Sequence, residues 1–232
     1  MLQLPSPFPP DHLRLLLADH IETTYKKRGE TYGDIAELIA DLIRQRQGNY
    51  LAFFPSYRYM NEVVECFVEA HPAVSTRVQE SGMSEREREA FLAVFNEDNP
   101  NITVGFAVMG GIFGEGIDLV GERLVGAVVV GVGLPQICLE RDLIRNYFDQ
   151  HELSGFEYAY TYPGMNRVLQ AAGRVIRTYE DRGAILLVDR RFDQGRYRQL
   201  FPPSWNDVRP VHAPAHIAES LEDFWSNSHE SA

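Results

Sequence analysis

Short apolar runs that alternate with helical segments constrain the fold of this chain of 232 residues more than any other feature. Two of these runs, residues 124–132 and 184–188, consist entirely of leucine, isoleucine, valine, alanine and glycine. Strands that are apolar on both faces are typical of a parallel sheet with helices on both sides. We therefore predict an α/β fold with a parallel sheet covered on both faces, in which ligands bind at the carboxyl ends of the strands.

Hydrophobic periodicity divides the chain into predicted elements. Ser84 and Glu87 have the spacing of a capping box, which predicts the start of a helix there. The predicted strands are 50–54, 74–79, 102–109, 124–132 and 184–189, and the predicted helices are 13–28, 33–47, 56–70, 84–95, 139–152, 163–178 and 194–200. Four prolines within residues 1–12 indicate an extended linker. We expect a linker and an N-terminal helix over 1–30, the α/β domain over 31–208, and a peripheral tail over 209–232.

The net charge of −11 argues against a broad nucleic-acid-binding surface that is held by bulk electrostatics. A narrow basic track is compatible with that charge. Residues 167–198 contain eight arginines and four carboxylates, so this segment has a local excess of +4 in an acidic protein. The excess indicates where an anion would bind.

Neither a membrane span nor a signal peptide is predicted, because the sequence has no run of about 18 apolar residues and no charged segment before an apolar one at its start. The two cysteines, Cys66 and Cys138, are interpreted as buried small side chains rather than as a disulfide or a metal pair. We expect a reducing, cytoplasmic environment, and we predict no metal ligands in this chain.

A stripe of polar side chains is predicted at residues 170–177. If this segment is helical, Gln170, Arg174 and Arg177 lie at positions i, i+4 and i+7 and share one face, and Gly173 leaves room beside them. Two guanidinium groups and an amide on one face suit a polyanion such as a triphosphate. A solvated basic helix face is the alternative.

Two predicted strand ends also carry polar residues or glycines. Ser56 and Tyr57 follow the strand 50–54, where the Ser56 hydroxyl would contact a phosphate or serve only as an ordinary helix cap. A second loop follows the strand 102–109, and its glycines would let a ligand approach the backbone while its carboxylates accept ribose hydroxyls. A structural turn with solvated carboxylates is the alternative for this loop. The loop contains Gly110, Gly111, Gly114, Glu115, Gly116 and Asp118.

Several sequence blocks, taken in order, resemble one known family. They are FFPSY at 53–57, GIFGEGID at 111–118, GLP at 133–135, QAAGRVIR at 170–177, DRG at 181–183 and VDRR at 188–191. They are similar to motifs IV, V and VI of superfamily 2 helicases, and most similar to those of the XPD/DinG-like DNA helicases. The resemblance extends from about Ser6 to Phe201, and it implies the second RecA-like motor domain of such an enzyme.

Residue roles follow from this resemblance alone. Arg174 and Arg177 would reach the ATP phosphates, one of them as an arginine finger, and Gln170 would orient the phosphate or the attacking water. The nucleotide cleft would be lined by Gly114, Glu115, Gly116, Asp118 and Gly173. Translocating single-stranded DNA would be contacted by Ser56, Tyr57, Gly110 and Gly111. The family also implies 5′→3′ polarity.

The sequence departs from the family in two ways. It contains no G-x-x-x-x-G-K-[ST] motif, so ATP and Mg²⁺ would be held mainly by a first RecA-like domain, and the isolated chain is expected to be inactive. Two cysteines cannot supply the four ligands of the family's 4Fe-4S cluster, which would belong to another part of the protein. A stand-alone nucleic-acid-binding or regulatory module without turnover is one alternative, and a nucleotide-binding enzyme of glycosyltransferase type is another.

Overall fold

A seven-stranded, entirely parallel sheet forms the centre of the molecule. The computed structural model describes residues 7–97, 99–111 and 123–226. The strand order is β3-β4-β2-β5-β6-β1-β7. The strands are β1 (Leu13–Ala18), β2 (Asn49–Phe54), β3 (Ser75–Val78), β4 (Thr103–Val108), β5 (Gly126–Val130), β6 (Gly183–Val188) and β7 (Val208–Pro210).

Helices cover both faces of this sheet. Alternate residues of each strand point to opposite faces, so Leu16 packs in one core cluster and Leu15 and Leu17 pack in the other. Helices α1, α2 and α7 contribute to the first cluster, and α3 and α5 contribute to the second. The helices are α1 (Tyr32–Ile43), α2 (Tyr57–Ala70), α3 (Glu85–Ala93), α4 (Leu139–Gln150), α5 (Tyr162–Ala172), α6 (Gly195–Arg198) and α7 (Pro214–Ser226). The predicted α/β class with a doubly covered parallel sheet is therefore confirmed.

The central strands β2, β5 and β6 are buried at every position. Burial of each large apolar side chain stabilises the fold by about 1.5–3 kcal/mol. Tyr50 is the one hydroxyl-bearing side chain in these strands, and its hydroxyl donates a hydrogen bond to the Arg46 carbonyl at 2.7 Å. Burial raises the pKa of this tyrosine above its ordinary value of 10.0. The centre of the sheet is therefore buried and apolar, and the polar residues lie at the ends of the strands.

The prediction of a helix over residues 13–28 is wrong. Residues Leu13–Ala18 form β1, which lies between β6 and β7 and pairs with both. The sequence LRLLLA is short and almost continuously apolar, and such a run fits a helix or a strand equally well until its neighbours are known. The position between two parallel strands favours the extended conformation, because a strand there forms backbone hydrogen bonds on both of its sides.

The interpretation of residues 209–232 as a peripheral tail is also wrong for the described residues up to 226. Ile217, Leu221 and Phe224 of α7 are buried in the core. The Arg182 guanidinium donates a hydrogen bond to the Phe224 carbonyl at 2.7 Å. Strand β1 and helix α7 thus belong to one core with the central strands. The predicted domain boundaries at residues 30 and 208 therefore do not match the limits of this core.

The two cysteines differ in their exposure. Cys66 is half-buried, but Cys138 is exposed at the start of α4, so the prediction that it is buried is wrong. Cys138 is the N-cap residue of α4, a helix that has no buried residue. Among the helices of the described residues, none combines the length and the apolar character that crossing a membrane requires.

Candidate nucleotide and nucleic-acid interfaces

Ser56 and Tyr57 lie at the carboxyl end of β2, as predicted. The Ser56 hydroxyl accepts a hydrogen bond from the Tyr59 backbone N–H at 3.4 Å, so this serine is the N-cap of α2. The Tyr57 hydroxyl accepts a hydrogen bond from the Gln79 side-chain amide at 2.9 Å. The ordinary helix cap, which is the alternative to a phosphate contact, is thus present. The phosphate contact itself stays a prediction.

Gln79 connects three strand ends, and the sequence alone did not single it out. Its side chain is almost fully buried, and its Oε1 atom accepts a hydrogen bond from the Val108 backbone N–H at 2.8 Å. A Cβ atom added to Gly111 would lie 3.3 Å from the Gln79 amide nitrogen. Gln79 therefore holds Tyr57 next to the end of β4. Its one sequence signal was a polar side chain at the last position of the predicted strand 74–79.

Gly110 and Gly133 bring two loops against α5. Gly110 has a φ of +69°, which favours glycine, and a Cβ atom there would lie 2.9 Å from Nε of Arg167. Gly133 has a φ of +65°, and a Cβ atom there would lie 2.6 Å from the Gly164 carbonyl oxygen. The glycines therefore allow α5 to start against the carboxyl ends of β4 and β5. Arg167, which sequence reasoning did not select, reaches this edge.

The remaining predicted residues of the glycine loop lie outside the described residues. They are Gly114, Glu115, Gly116 and Asp118. Their placement in a nucleotide cleft stays a prediction. The described start of the loop, Gly110 and Gly111, lies beside Gln79 and Arg167 at the carboxyl edge.

The predicted helical stripe of Gln170, Arg174 and Arg177 is wrong. Helix α5 ends at Ala172, after which the Gly173 N–H donates a hydrogen bond to the Leu169 carbonyl at 2.8 Å. Gln170 is exposed in the last turn, whereas Arg174 and Arg177 lie in the loop beyond the helix. The three side chains therefore do not share a helix face.

Asp181 gives this loop its shape. Its carboxylate accepts hydrogen bonds of 2.7 Å from the Arg177 backbone N–H, the Thr178 backbone N–H and the Thr178 hydroxyl. The side chain is only 6% exposed, so these bonds are shielded from water. Val175 is buried against Gly183 at the start of β6. A buried carboxylate and a buried valine thus hold the two arginines on a fixed loop.

The two groups of predicted site residues lie at opposite edges of the sheet. Helix α5 has 11 residues and is about 16 Å long. It begins beside Gly133 at the carboxyl end of β5, and its C-terminal loop leads into Gly183 at the amino end of β6. Arg174 and Arg177 therefore lie at the edge of the sheet opposite to Gly110 and Gly111, and α5 connects the two edges.

A buried polar network lies at the carboxyl end of β6. Asp189 is fully buried, and its carboxylate accepts hydrogen bonds from the Arg191 guanidinium at 2.7 and 2.9 Å and from the Thr23 hydroxyl. Burial acts to lower the pKa of Arg191, but the hydrogen bonds and the charge of Asp189 outweigh it and raise that pKa. These charges are satisfied within the protein. The network therefore fixes the loop after β1 against β6.

An apolar cavity of about 310 Å³ lies at the amino edge, beneath the last turn of α5. Its lining includes Leu13, Leu169, Gly173, Ile176 and Trp205.

Nowhere in residues 7–97, 99–111 and 123–226 do three His, Cys, Asp or Glu side chains form a group that could hold a metal ion. The amino edge carries Arg174 and Arg177, and its described residues include no carboxylate cluster that could hold a cation.

Comparison with known proteins defines the class of this chain. The family model of the helicase C-terminal domain matches residues 39–208, which is most of the chain. The fold is RecA-like, and it is the fold of the second motor domain of superfamily 2 helicases. The chain belongs to the helicase C-terminal domain family, and within it to the XPD/DinG-like helicases.

Three curated relatives have similar sequences. The chain is 29% identical over 202 residues to a regulator of telomere elongation helicase 1 homolog of Culex quinquefasciatus, covering 78% of this chain and 20% of that protein. It is 27% identical to the ATP-dependent DNA helicase CHL1 of Coccidioides immitis (87% and 27% covered) and 27% identical to a probable ATP-dependent helicase of Methanocaldococcus jannaschii (82% and 31% covered). The chain therefore spans between 20% and 31% of the length of these relatives.

Solved structures agree in fold. An XPD helicase superposes with a TM-score of 0.66 at 19% identity, covering 86% of this chain and 35% of that chain. Dbp5 of S. cerevisiae superposes with a TM-score of 0.53 at 12% identity, covering 93% of this chain and 46% of that chain. Both similarities support the RecA-like architecture.

Proposed function

We propose that this chain is the second motor domain of an ATP-dependent DNA helicase with 5′→3′ polarity. The observation that carries the proposal is the position of helix α5, which connects the edge with Gly110 and Gly111 to the loop with Arg174 and Arg177. A motor must couple nucleotide chemistry to movement along a strand, and a short helix with one end at each interface suits that coupling. The family membership supports the same conclusion.

The amino edge is the proposed ATP side. Arg174 and Arg177 lie on the loop that Asp181 anchors, with Gly173 and Gln170 next to them. A first motor domain would hold ATP and Mg²⁺, and these arginines would approach the phosphates across the cleft between the domains. An arginine that stabilises charge on the transferring phosphoryl group typically raises the rate by about 10³–10⁵. A fixed loop favours this role, since a preorganised guanidinium loses little entropy when it binds.

The carboxyl edge is the proposed DNA side. Ser56, Tyr57, Gly110 and Gly111 lie together there, with Gln79 linking Tyr57 to the end of β4. Backbone N–H groups and an aromatic side chain contact phosphates and bases without sequence specificity. The net charge of −11 requires that such a track be narrow.

The Arg177→Ala variant tests the ATP side. This chain would be joined to a first motor domain that carries the Walker A motif, and DNA-stimulated ATPase activity would be measured. We expect the variant to lose activity by about 10³-fold or more. Arg209→Ala is the matched control, because Arg209 is exposed on the edge strand β7 and forms an ion pair with Asp207. An Arg177→Ala enzyme that is as active as the wild type would refute the finger assignment.

A stand-alone nucleic-acid-binding or regulatory module is the second candidate. This candidate requires tight, salt-sensitive binding of single-stranded DNA by the chain alone. It also requires that adding a first motor domain produces no ATPase activity. DNA-stimulated turnover by the joined domains would exclude it.

A further inference from the structure

Arg167 lies where three elements meet at the carboxyl edge. It is in the second turn of α5, its Nε atom is 2.9 Å from where a Cβ atom of Gly110 would be, and its own Cβ atom is 3.5 Å from the corresponding position at Gly133. The aliphatic stem of the side chain therefore packs between the ends of β4 and β5. The side chain is partly exposed. Its position and its exposure place a positive charge at the surface beside Gly110.

The charges around Arg167 leave its guanidinium available. Within the described parts of the chain, Arg167 takes part in none of the side-chain hydrogen bonds or ion pairs. Three carboxylates of the arginine-rich segment 167–198 bond to other groups: Asp181 to Thr178, Asp189 to Arg191, and Asp193 to Arg198 at 3.1 Å. The guanidinium of Arg167 can therefore bind an external anion without breaking an ion pair among the described residues.

We infer that Arg167 binds a phosphate of single-stranded DNA at the carboxyl edge, next to Gly110 and Gly111. This inference rests on the proposed function and adds the cation that its DNA side lacks, since Ser56, Tyr57 and the two glycines carry no charge. A guanidinium binds a phosphodiester through two parallel hydrogen bonds. The glycines allow the strand to approach closely enough for that contact.

The Arg167→Gln variant tests this contact. Glutamine keeps the part of the stem that packs against the glycines and removes the charge. Binding of fluorescein-labelled oligo(dT) to the full chain would be measured by anisotropy over a range of salt concentrations. We expect affinity at low salt to fall about tenfold. We also expect the slope of log K against log salt to become shallower by about 0.7, the value for one phosphate contact on a single strand.

Two further variants separate a phosphate contact from a structural effect. Arg167→Lys keeps the charge, and we expect it to keep the wild-type salt slope. Arg209→Ala removes one positive charge on β7, five strand spacings from β4, which is about 24 Å away. We expect this control to bind like the wild type. Circular dichroism would show that all the variants are folded.

Other outcomes would overturn the inference. An unchanged salt slope in Arg167→Gln would exclude the contact, and so would a wild-type chain that does not bind oligo(dT) at low salt. Inorganic phosphate and ATP would also be tested as competitors. Displacement of oligo(dT) at a concentration close to the Kd of that anion for the chain would show that the site binds a free anion instead of a strand. The ATPase test of Arg177 is independent of these results, so the motor function can stand or fail separately.

Discussion

Replacing Asp181 tests whether one buried carboxylate holds the loop that carries Arg174 and Arg177. In Asp181→Ala the backbone N–H groups of Arg177 and Thr178 lose an acceptor that is itself buried. Each buried N–H group that is left without a partner costs about 1–3 kcal/mol. Because Arg177 and Thr178 are partly exposed, water recovers part of this cost, and we expect the free energy of unfolding to fall by about 2–5 kcal/mol.

Asp181→Asn should cost much less. The asparagine carbonyl oxygen can accept from both backbone N–H groups, while its amide nitrogen donates to the Thr178 hydroxyl, which rotates to accept. Only the charge is lost, and charge-assisted hydrogen bonds are roughly twice as strong as neutral ones. We expect a cost of about 1 kcal/mol. The predicted order of stability is wild type, then Asn, then Ala.

Urea unfolding followed by the fluorescence of Trp205 and Trp225 would measure these differences. For a domain of about this size each kcal/mol shifts Tm by about 2–4 °C, so Asp181→Ala should melt about 4–20 °C below the wild type. Glu180→Ala is the matched control, because Glu180 is exposed beside Asp181, and it should stay within about 0.5 kcal/mol. An alanine variant as stable as that control would refute the anchoring role of Asp181.

Two further predictions concern the rest of the fold. Gly133→Ala should lower the free energy of unfolding by about 2–4 kcal/mol, because its φ of +65° disfavours a side chain and its Cβ atom would lie 2.6 Å from the Gly164 carbonyl oxygen. A Cβ atom added to Gly33, in the first turn of α1, would meet no atom within 4 Å, so urea unfolding should show Gly33→Ala to be more stable than the wild type by about 0.5–1 kcal/mol. An equal decrease in the free energy of unfolding in both variants would contradict this account. Because the folded state keeps the Tyr50 proton above pH 10 while the unfolded state loses it, stability should fall by up to about 1.4 kcal/mol per pH unit for this residue. Tyr50→Phe should make the loss above pH 10 shallower, which the exposed Tyr25→Phe control should not do in unfolding curves measured between pH 9 and pH 11.

Local signals in the sequence predicted most elements correctly. Ser56 and Ser84 are the N-caps that their spacing indicates, and the capping box with Glu87 is present. The apolar periodicity of residues 35–43 is the buried face of α1. These features depend on contacts between residues a few positions apart, so a single sequence contains the information for them.

Contacts between distant residues were not predictable in the same way. Gln79 reaches Tyr57 across 22 positions, and Arg167 meets Gly110 across 57 positions (167 − 110), so nothing near any of them in the chain indicates the contact. The end of α5 at Ala172 was missed for a different reason. Asp181 lies three and four positions from Thr178 and Arg177 and accepts hydrogen bonds from backbone N–H groups that a longer helix would have used. Helix propensity is a weak preference that such a local side-chain acceptor overrides.

The amino-acid sequence by itself determined the α/β class, most of the strands and helices, and the arginines and glycines that its motifs contain. The tertiary structure alone decided that residues 13–18 form a strand in the sheet and that the arginine loop and the glycine loop lie at opposite edges. The physical reason is that both outcomes depend on the packing of whole elements. Strand β1 fills the place between β6 and β7, and α5, like any helix that joins two parallel strands, runs from the carboxyl end of β5 to the amino end of β6. Arg167 therefore lies near one edge of the sheet, and Arg174 and Arg177 lie beyond the end of the helix at the other.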